Sequence, residues 1–466
     1  MNIDKKIFKA YDIRGIYPEE INEENIEVII KAIYTFFVKK LGKNVLEIAL
    51  GRDMRISSPV ISKKAQETLL KLGAKVTDIG LSSTPSVYFA VKKYNLDGGI
   101  QISASHNPKQ YNGVKFLYQK NNFVTKVAKN TGMEEVCDIA LTSQFVADRP
   151  GGQLIVKNIL DEEIEFAKAT VKIDKLKQFK VVADPANSMG ALFIEKIFAA
   201  ISGSQLIKIN FNLDGSFPAH EANPIKFNTL KELQNKVVEE KADFGIATDG
   251  DGDRIFFIDE KGVIIPATLI TSLIAKEILL EKPNDKILVD IRYLLNAKKI
   301  IEKYHGQMEI NVVGHSLITT HLNKVGAAFA GESSGHFFFR ETGGCESTVR
   351  VIYHVLKVLS RDTRPVSQII HDLQSAFETG EFNFILPKSI NSKQILENIS
   401  LKFSEGKVSW LDGLSIDFDD WRFNIRSSNT EPLIRLNLEA LNEIKMNEKL
   451  KLLTNLILSY GAKATD

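Results

Sequence analysis

Cysteine is nearly missing: Cys137 and Cys345 are the only two in 466 residues. One pair in so long a chain is no disulfide framework and fits a reducing cytosol. An excess of either charge is also missing. Sixty basic residues against 58 acidic ones leave a formal net charge of +2. That balance gives no electrostatic case for nucleic acid or a membrane surface as partner. Long apolar runs are absent too. The uncharged stretch between Lys261 and Lys276 is too short to cross a bilayer and contains Pro266. Met1 to Lys6 lack the apolar core of a signal peptide. No low-complexity segment or long linker interrupts the chain. The expectation is a cytoplasmic enzyme of several domains, as the length suggests.

Two stretches carry the chemistry. The first is Thr248-Asp249-Gly250-Asp251-Gly252-Asp253-Arg254. Gly250 and Gly252 let the backbone curl through positive φ, so three carboxylates can turn inward. An oxygen-only donor set selects Mg²⁺ or Ca²⁺ over zinc. An EF-hand is one candidate, because Glu260 falls at the twelfth position from Asp249. Its sixth position requires Gly and holds Arg254, and the flanking apolar runs read as strands. A solvated acidic turn is the bland alternative, but carboxylates this close repel unless a cation compensates.

The second stretch is Gly99-Ile100-Gln101-Ile102-Ser103-Ala104-Ser105-His106-Asn107-Pro108. A strand enters a turn that Asn107 and Pro108 enforce. Ser105 is either a capping or turn serine or a nucleophile. A bare serine needs a base or a metal. His106 is too close in sequence to be an obvious base, and no Ser-His-Asp arrangement is legible. The aspartate triplet would supply a metal instead.

Two more loops share the pattern. Gly331-Glu332-Ser333-Ser334-Gly335-His336 follows a predicted strand and offers small polar groups suited to sugar hydroxyls. Arg426-Ser427-Ser428-Asn429-Thr430-Glu431-Pro432 follows the predicted strand Trp421 to Ile425. One cation, several hydroxyls and an amide make a phosphate clamp there, or an ordinary Ser/Asn turn. Strands and helices alternate: a strand at 45–50, a helix at 61–72, a strand at 75–80. The rhythm restarts at 179–185, with a helix near 190–200, and again near 286–290. Such βαβ units argue for parallel or mixed sheets flanked by helices. In such sheets, ligands gather at the carboxyl ends of strands.

These four loops, in this order, together with Phe8-Lys9-Ala10-Tyr11-Asp12-Ile13-Arg14-Gly15, resemble the signature motifs of the α-D-phosphohexomutases over nearly the whole chain. The resemblance implies three similar α/β domains with mixed sheets and a smaller α+β C-terminal domain around a central cleft. The expected divisions are 1–150 with the serine loop, 151–256 with the metal loop, 257–370 with the sugar loop and 371–466 with the phosphate loop. Tyr111-Asn112-Gly113 and Ser428-Asn429-Thr430 depart from the Asp-Asn-Gly and Ser-Gly-Thr of phosphoglucosamine mutases. Pro218 to Pro224 is similar to the branch acting on both mannose and glucose phosphates. The implied activity is reversible interconversion of hexose 6-phosphate and hexose 1-phosphate through a phosphoserine and a hexose 1,6-bisphosphate intermediate. Phosphoglucosamine mutase is the alternative within the family. A non-catalytic sugar-phosphate-binding protein and a phosphatase are alternatives from other classes.

By resemblance, Ser105 with Asp249, Asp251 and Asp253 would hold Mg²⁺, and Arg254 would orient phosphate. Lys115 and His315 are the implied acid–base groups, the lysine tuned down by neighbouring cations. Tyr11, Arg14, Arg292, Gly314, His315, Glu332, Ser334 and His336 would line the substrate cleft. Arg426, Ser428, Asn429 and Thr430 would bind phosphate. Arg292 stands where some relatives carry Lys. Cys345 and Glu346 stand where family members often have paired aspartates. Sugar phosphates are the expected partners, with a monomer or small homo-oligomer as the assembly.

Overall fold

A computed structural model of the chain describes residues 3–387, 391–427 and 433–465. Four sheets follow one another along it. The first three repeat one arrangement. In the first, Gly98–Ile102 lies parallel to Glu47–Arg52, which lies parallel to Lys75–Leu81. Its other edge pairs antiparallel with Tyr111–Lys120. In the second, Phe244–Thr248 lies parallel to Lys180–Asp184 and antiparallel to Ile255–Asp259, with Gln205–Lys208 beyond. In the third, Phe329–Gly331 lies parallel to Lys286–Asp290 and antiparallel to Phe337–Phe339, with Gln307–Asn311 beyond. The repeat expected from the restarts is therefore one of topology.

Each signature loop occupies the same place in its unit. It joins the last parallel strand to the antiparallel strand beside it. Serine, metal and sugar loops are thus equivalent corners of three similar sheets. The strands that lead into them are buried at every position, as expected where helices cover both faces of a sheet.

The fourth sheet is antiparallel throughout, in the order Lys407–Ser409, Leu414–Asp417, Trp421–Ser427, Leu433–Ala440, Phe377–Ile385, Lys463–Thr465. Helices Ser392–Lys402 and Glu443–Ser459 contribute Ile395, Ile399, Leu453 and Ile457 to its core with Phe423 and Leu436. The second and third units share one apolar core, whereas most of the first unit's core and all of the fourth's are their own. Among the described residues, no helix is long and apolar enough to cross a membrane.

Two of the three expected divisions fall inside elements, and the other falls just before a strand of the first sheet. After the break at Arg149 to Gly152 the chain returns to the first sheet as Gln153–Val156, parallel to Lys75–Leu81. The cut at 256 lies within Ile255–Asp259, which also pairs with Ile264–Ile265. The cut at 370 lies within helix Val366–His371, whose Val366, Ile369 and Ile370 belong to the shared core. In each case, pairing or packing with residues distant in sequence carries the chain past the expected division.

Candidate active site

Ser105 sits on the turn leaving Gly98–Ile102 with φ of +50°, a left-handed conformation that a side chain adopts rarely. Its N–H donates to Ser103 Oγ at 2.9 Å. Its side chain is buried, and Oγ lies 2.8 Å from Asp249 Oδ2 and 3.1 Å from His106 Nδ1. His106 is thus within reach of the hydroxyl despite its closeness in sequence. Burial, with Arg254, Arg14 and Lys115 nearby, pushes its imidazole well below the usual range, so it stays neutral.

The metal loop follows Phe244–Thr248, and its three carboxylates are buried with oxygens all within 4.8 Å of one another. Asp249 Oδ1 accepts the N–H groups of Asp253 and Arg254 at 3.1 and 3.2 Å, which curls the loop around it. The two glycines act differently. Gly252 has φ of +70°, but Gly250 is needed for close approach, since a Cβ there would lie 2.3 Å from the Ser105 carbonyl oxygen. Hydroxyls from three units hold the loop. Ser188 Oγ donates to the Asp249 carbonyl at 3.0 Å. Thr348 Oγ1 donates to the Gly252 carbonyl at 2.9 Å. Thr84, at the start of helix Thr84–Lys93, donates its N–H to the Asp251 carbonyl at 2.9 Å and its hydroxyl to Asp251 Oδ2.

Lys115, on the strand antiparallel to Gly98–Ile102, donates to Asp251 Oδ2 at 2.6 Å and Asp253 Oδ2 at 2.7 Å. Its bonded partners are carboxylates, with Arg14 the cation nearby. Burial disfavours its charge, but Asp251 and Asp253 outweigh that and raise its pKa. Lys115 is a fixed cation, not a lysine tuned down. Asp249 moves the opposite way to its neighbour. Burial, then Asp253 and Asp251, push it well above the carboxylate range. For Asp253, Lys115 and His336 overcome burial and hold the carboxyl well below it.

Buried Asp251 Oδ1 has no hydrogen-bond partner, and Asp253 Oδ1 has only the approach of His336 at 3.3 Å. An unpartnered buried oxygen among three converging carboxylates fits a hard divalent cation.

The sugar loop meets this corner through His336. Its Nδ1 lies 2.9 Å from Glu332 Oε2 and 3.1 Å from Ser334 Oγ. Its Nε2 lies 3.2 Å from Arg254 Nε and 3.3 Å from Asp253 Oδ1. Burial opposes its charge, but Asp253 and Glu332 push its pKa up to about 9. Arg292 grips Asp290 with two bonds of 3.0 Å and reaches Glu332 Oε1 at 3.1 Å. The fork geometry that an arginine brings here is therefore used within the protein.

His315 and Gly314 begin helix His315–Val325, with the His315 ring 5.1 Å from Tyr11 and 6.2 Å from His336. Burial, then Lys126 and Lys115, push His315 well below its usual pKa. Arg14 bonds Asp12 and, at 2.6 Å, Asn107 Oδ1.

The reading of Glu346 also sharpens. It pairs with the buried Lys126 across from the first unit, and one of its carboxylate oxygens lies within 4.8 Å of ligand atoms of Asp253 and His336. Arg426 is the last-but-one residue of strand Trp421–Ser427 rather than a loop residue, and donates to Glu381 Oε2 at 3.1 Å. Ser428, Asn429 and Thr430 lie outside the described residues.

Family models of "Phosphoglucomutase/phosphomannomutase" match the chain in three stretches. They are α/β/α domain I over residues 5–139, domain II over 161–262 and domain III over 268–377. The chain belongs to the α-D-phosphohexomutase family. A Vibrio cholerae phosphomannomutase is 34% identical over 97% of this chain and 98% of its own. A Methanocaldococcus jannaschii phosphomannomutase is also 34% identical, over 98% of this chain and 99% of its own. The crystal structure of a Burkholderia thailandensis phosphoglucomutase/phosphomannomutase family protein superposes with a TM-score of 0.87 at 26% identity. It covers 99% of this chain and 100% of that one. This phosphohexomutase is an isomerase of the phosphomutase type.

Several residues at the phosphohexomutase site escaped the sequence reading. Thr84, Lys126 and Asp290 each touch a named site residue, yet each sits in an unremarkable local sequence. Arg55 had a signal. Gly51-Arg52-Asp53-Met54-Arg55 leaves a strand parallel to Gly98–Ile102, so charged residues there reach the same corner.

Proposed function

We propose that the chain interconverts hexose 1-phosphate and hexose 6-phosphate, with mannose and glucose phosphates as substrates and Ser105 as the phosphate carrier. The observation that carries this reading is Ser105 Oγ at 2.8 Å from Asp249, one of three carboxylates converging in a buried corner. Phosphoserine gives up its phosphoryl group as the Oγ–P bond breaks and a bond from phosphorus to a sugar hydroxyl oxygen forms. The sugar then carries two phosphates. The phosphoryl group at its other end returns to Ser105, so the sum is an isomerisation. Such transfers need positioning and charge compensation more than covalent assistance.

Asp249, Asp251 and Asp253 would hold Mg²⁺. That ion would offset charge on the transferring phosphoryl group. Lys115 supplies a second positive charge that stays protonated. His315, held neutral by burial, takes the proton of the attacking hydroxyl. His106 is placed to exchange a proton with Ser105. Arg254 and Arg14 face the same corner and orient phosphate. Glu332 and Ser334 read sugar hydroxyls, with His336 bracing Glu332. Tyr11 and Gly314 wall the cleft beside His315, and Arg292 keeps Glu332 in place. Arg426, with Ser428, Asn429 and Thr430, takes whichever phosphate is not reacting.

The test is a coupled assay with Mg²⁺ and trace glucose 1,6-bisphosphate. It compares mannose 1-phosphate, glucose 1-phosphate and glucosamine 1-phosphate by kcat/KM. Comparable turnover of the first two is expected, with added phosphate found by mass on Ser105. A strong preference for glucosamine 1-phosphate would overturn the sugar assignment. Steady release of free phosphate would overturn the mutase reading.

A further inference from the structure

Beneath the Ser105 turn lies one fully enclosed guanidinium. Arg55 is among the largest side chains with almost no exposure, an unusual place for arginine. Its Nη2 donates to the carbonyls of Ser105 and Asn107, both at 2.6 Å. Its Nη1 donates to the carbonyls of Pro108 and Tyr111, both at 2.9 Å. Four carbonyls of one short turn therefore converge on a single planar group. Arg55 is itself fixed. Asp53 accepts its backbone N–H at 3.0 Å and lies 3.3 Å from its Nε. The Phe217 ring, from the second unit, lies 5.0 Å from the guanidinium carbon. Gly215 approaches so closely that a Cβ there would lie 2.6 Å from Arg55 Cα.

We propose that Arg55 is a positioning residue for phosphoryl transfer, holding the turn that presents Ser105 and placing a fixed positive charge behind the phosphoserine. The proposal rests on the reading that Ser105 carries the phosphate. Two features of the turn call for such a hold. Ser105 keeps φ of +50°, a conformation that persists only when its surroundings over-determine it. Its carbonyl also packs against the metal loop at Gly250, so a shift of the turn would disturb that loop too. Bonding that carbonyl to Arg55 fixes its place against the loop. Lysine cannot substitute. Its ammonium is a point donor of three bonds, whereas four carbonyls here match a planar fork. Arg55 touches the backbone of Ser105 and not its reacting oxygen, so it acts through Ser105.

The experiment compares native protein, Arg55→Lys, Arg55→Met and Ser105→Ala, each with Mg²⁺ and glucose 1,6-bisphosphate. Phosphoserine formation is followed by intact mass, and turnover of glucose 1-phosphate is measured across substrate concentration. Thermal midpoints are recorded in parallel. Arg55→Lys keeps the charge but leaves at least one buried carbonyl unbonded, so its midpoint should fall while the protein stays folded under assay conditions. Its phosphoserine should form about tenfold more slowly or worse, with kcat falling likewise and KM within about twofold, because a small misplacement of a reacting group costs rate rather than affinity. Arg55→Met should fall further.

Native rates of phosphorylation and turnover in Arg55→Lys would overturn the proposal. A rise in KM matching the fall in kcat would overturn it too. Where both Arg55 variants fail to fold, Asp53→Asn loosens the guanidinium without removing it, and a native kcat there overturns the proposal. Turnover by Ser105→Ala would overturn the phosphoserine reading instead. Inactive Ser105→Ala beside fully active Arg55→Lys would sink the Arg55 role alone.

Discussion

The reaction corner and the phosphate-clamp side of the cleft are built on opposite plans. At the reaction corner, most charged groups are closely bonded, and Asp251 Oδ1 is left without a partner. Lys115 bridges Asp251 and Asp253, Ser105 meets Asp249, and Thr84 and Thr348 pin the loop from other units. On the clamp side, among the described residues, two arginines reach for one acceptor. Arg426 and Arg435 face each other across paired strands and share one carboxylate, Glu381. Burial and the nearby Arg292 push the Arg426 pKa down. The fourth unit is joined to the third by a different set of bonds. Glu439 caps the start of helix Leu295–Lys303 through the N–H groups of Leu294 and Leu295, and pairs with Arg422. The difference teaches how one cleft divides its work. On the proposed function, a centre that makes and breaks bonds is assembled before substrate arrives, while the proposed phosphate side offers arginines to the incoming anion.

The largest effect expected from breaking this contrast is at the centre. Asp251→Asn removes a carboxylate that faces Lys115, Thr84 and the proposed Mg²⁺ site. Turnover should fall ~100-fold or more and the half-saturating Mg²⁺ concentration should rise ~10-fold or more, since even outer partners of a metal site are worth 10–100-fold. A Mg²⁺ titration of rate measures both, and an unchanged titration would remove Asp251 from the ligand set.

Next comes the seam behind the centre. Glu163, buried where the second unit meets Ser86 of the first, is pushed by desolvation up to about 7, with the Ser86 hydroxyl bonded to it at 2.6 Å. The unfolded chain releases this proton near the ordinary value of 4.5, whereas the folded chain keeps it until about 7. The folded state then binds more protons, so this group's contribution falls as pH rises between those values and is level above them. Glu163→Gln keeps the hydrogen bond without the proton. Its thermal midpoint should gain on native through that window, by an amount corresponding to at most ~3 kcal/mol. A difference between the two that stays constant from pH 4.5 to 7 would show that Glu163 does not titrate there.

The smallest effect is expected on the clamp side. Arg426→Gln removes one charged donor from the phosphate site while leaving the centre intact. It should raise KM for sugar phosphates ~10-fold with a lesser change in kcat, as for the loss of one charge-assisted hydrogen bond. Steady-state kinetics across substrate concentration separate the two. A variant that loses kcat at unchanged KM would mean the two sides do not divide the work in this way.

Much of the cleft was legible because its chemistry is written in contiguous stretches. The aspartates alternate with glycines in seven residues, and strands on either side frame them. Elements with strong apolar patterning were legible for the same reason. Lys286–Asp290 lies where a strand was expected, and helix Gly190–Ala199 ends one residue short of the expectation. The ends of units were less legible, because Gln153–Val156 earns its place by pairing with a distant strand and not by its own composition. The charge state of Lys115 was misjudged because its carboxylate partners lie 136 and 138 residues away.

By itself the sequence determined which donors exist and that they sit on strand-ending loops, because ligand type and turn chemistry are local properties. Tertiary structure decided which proton each group keeps and which backbone each one holds. His315 is neutral, Lys115 stays charged, and Arg55 gathers four carbonyls of the Ser105 turn. Those outcomes depend on burial and on partners brought together from separate units, and neither is encoded in any single stretch of the chain.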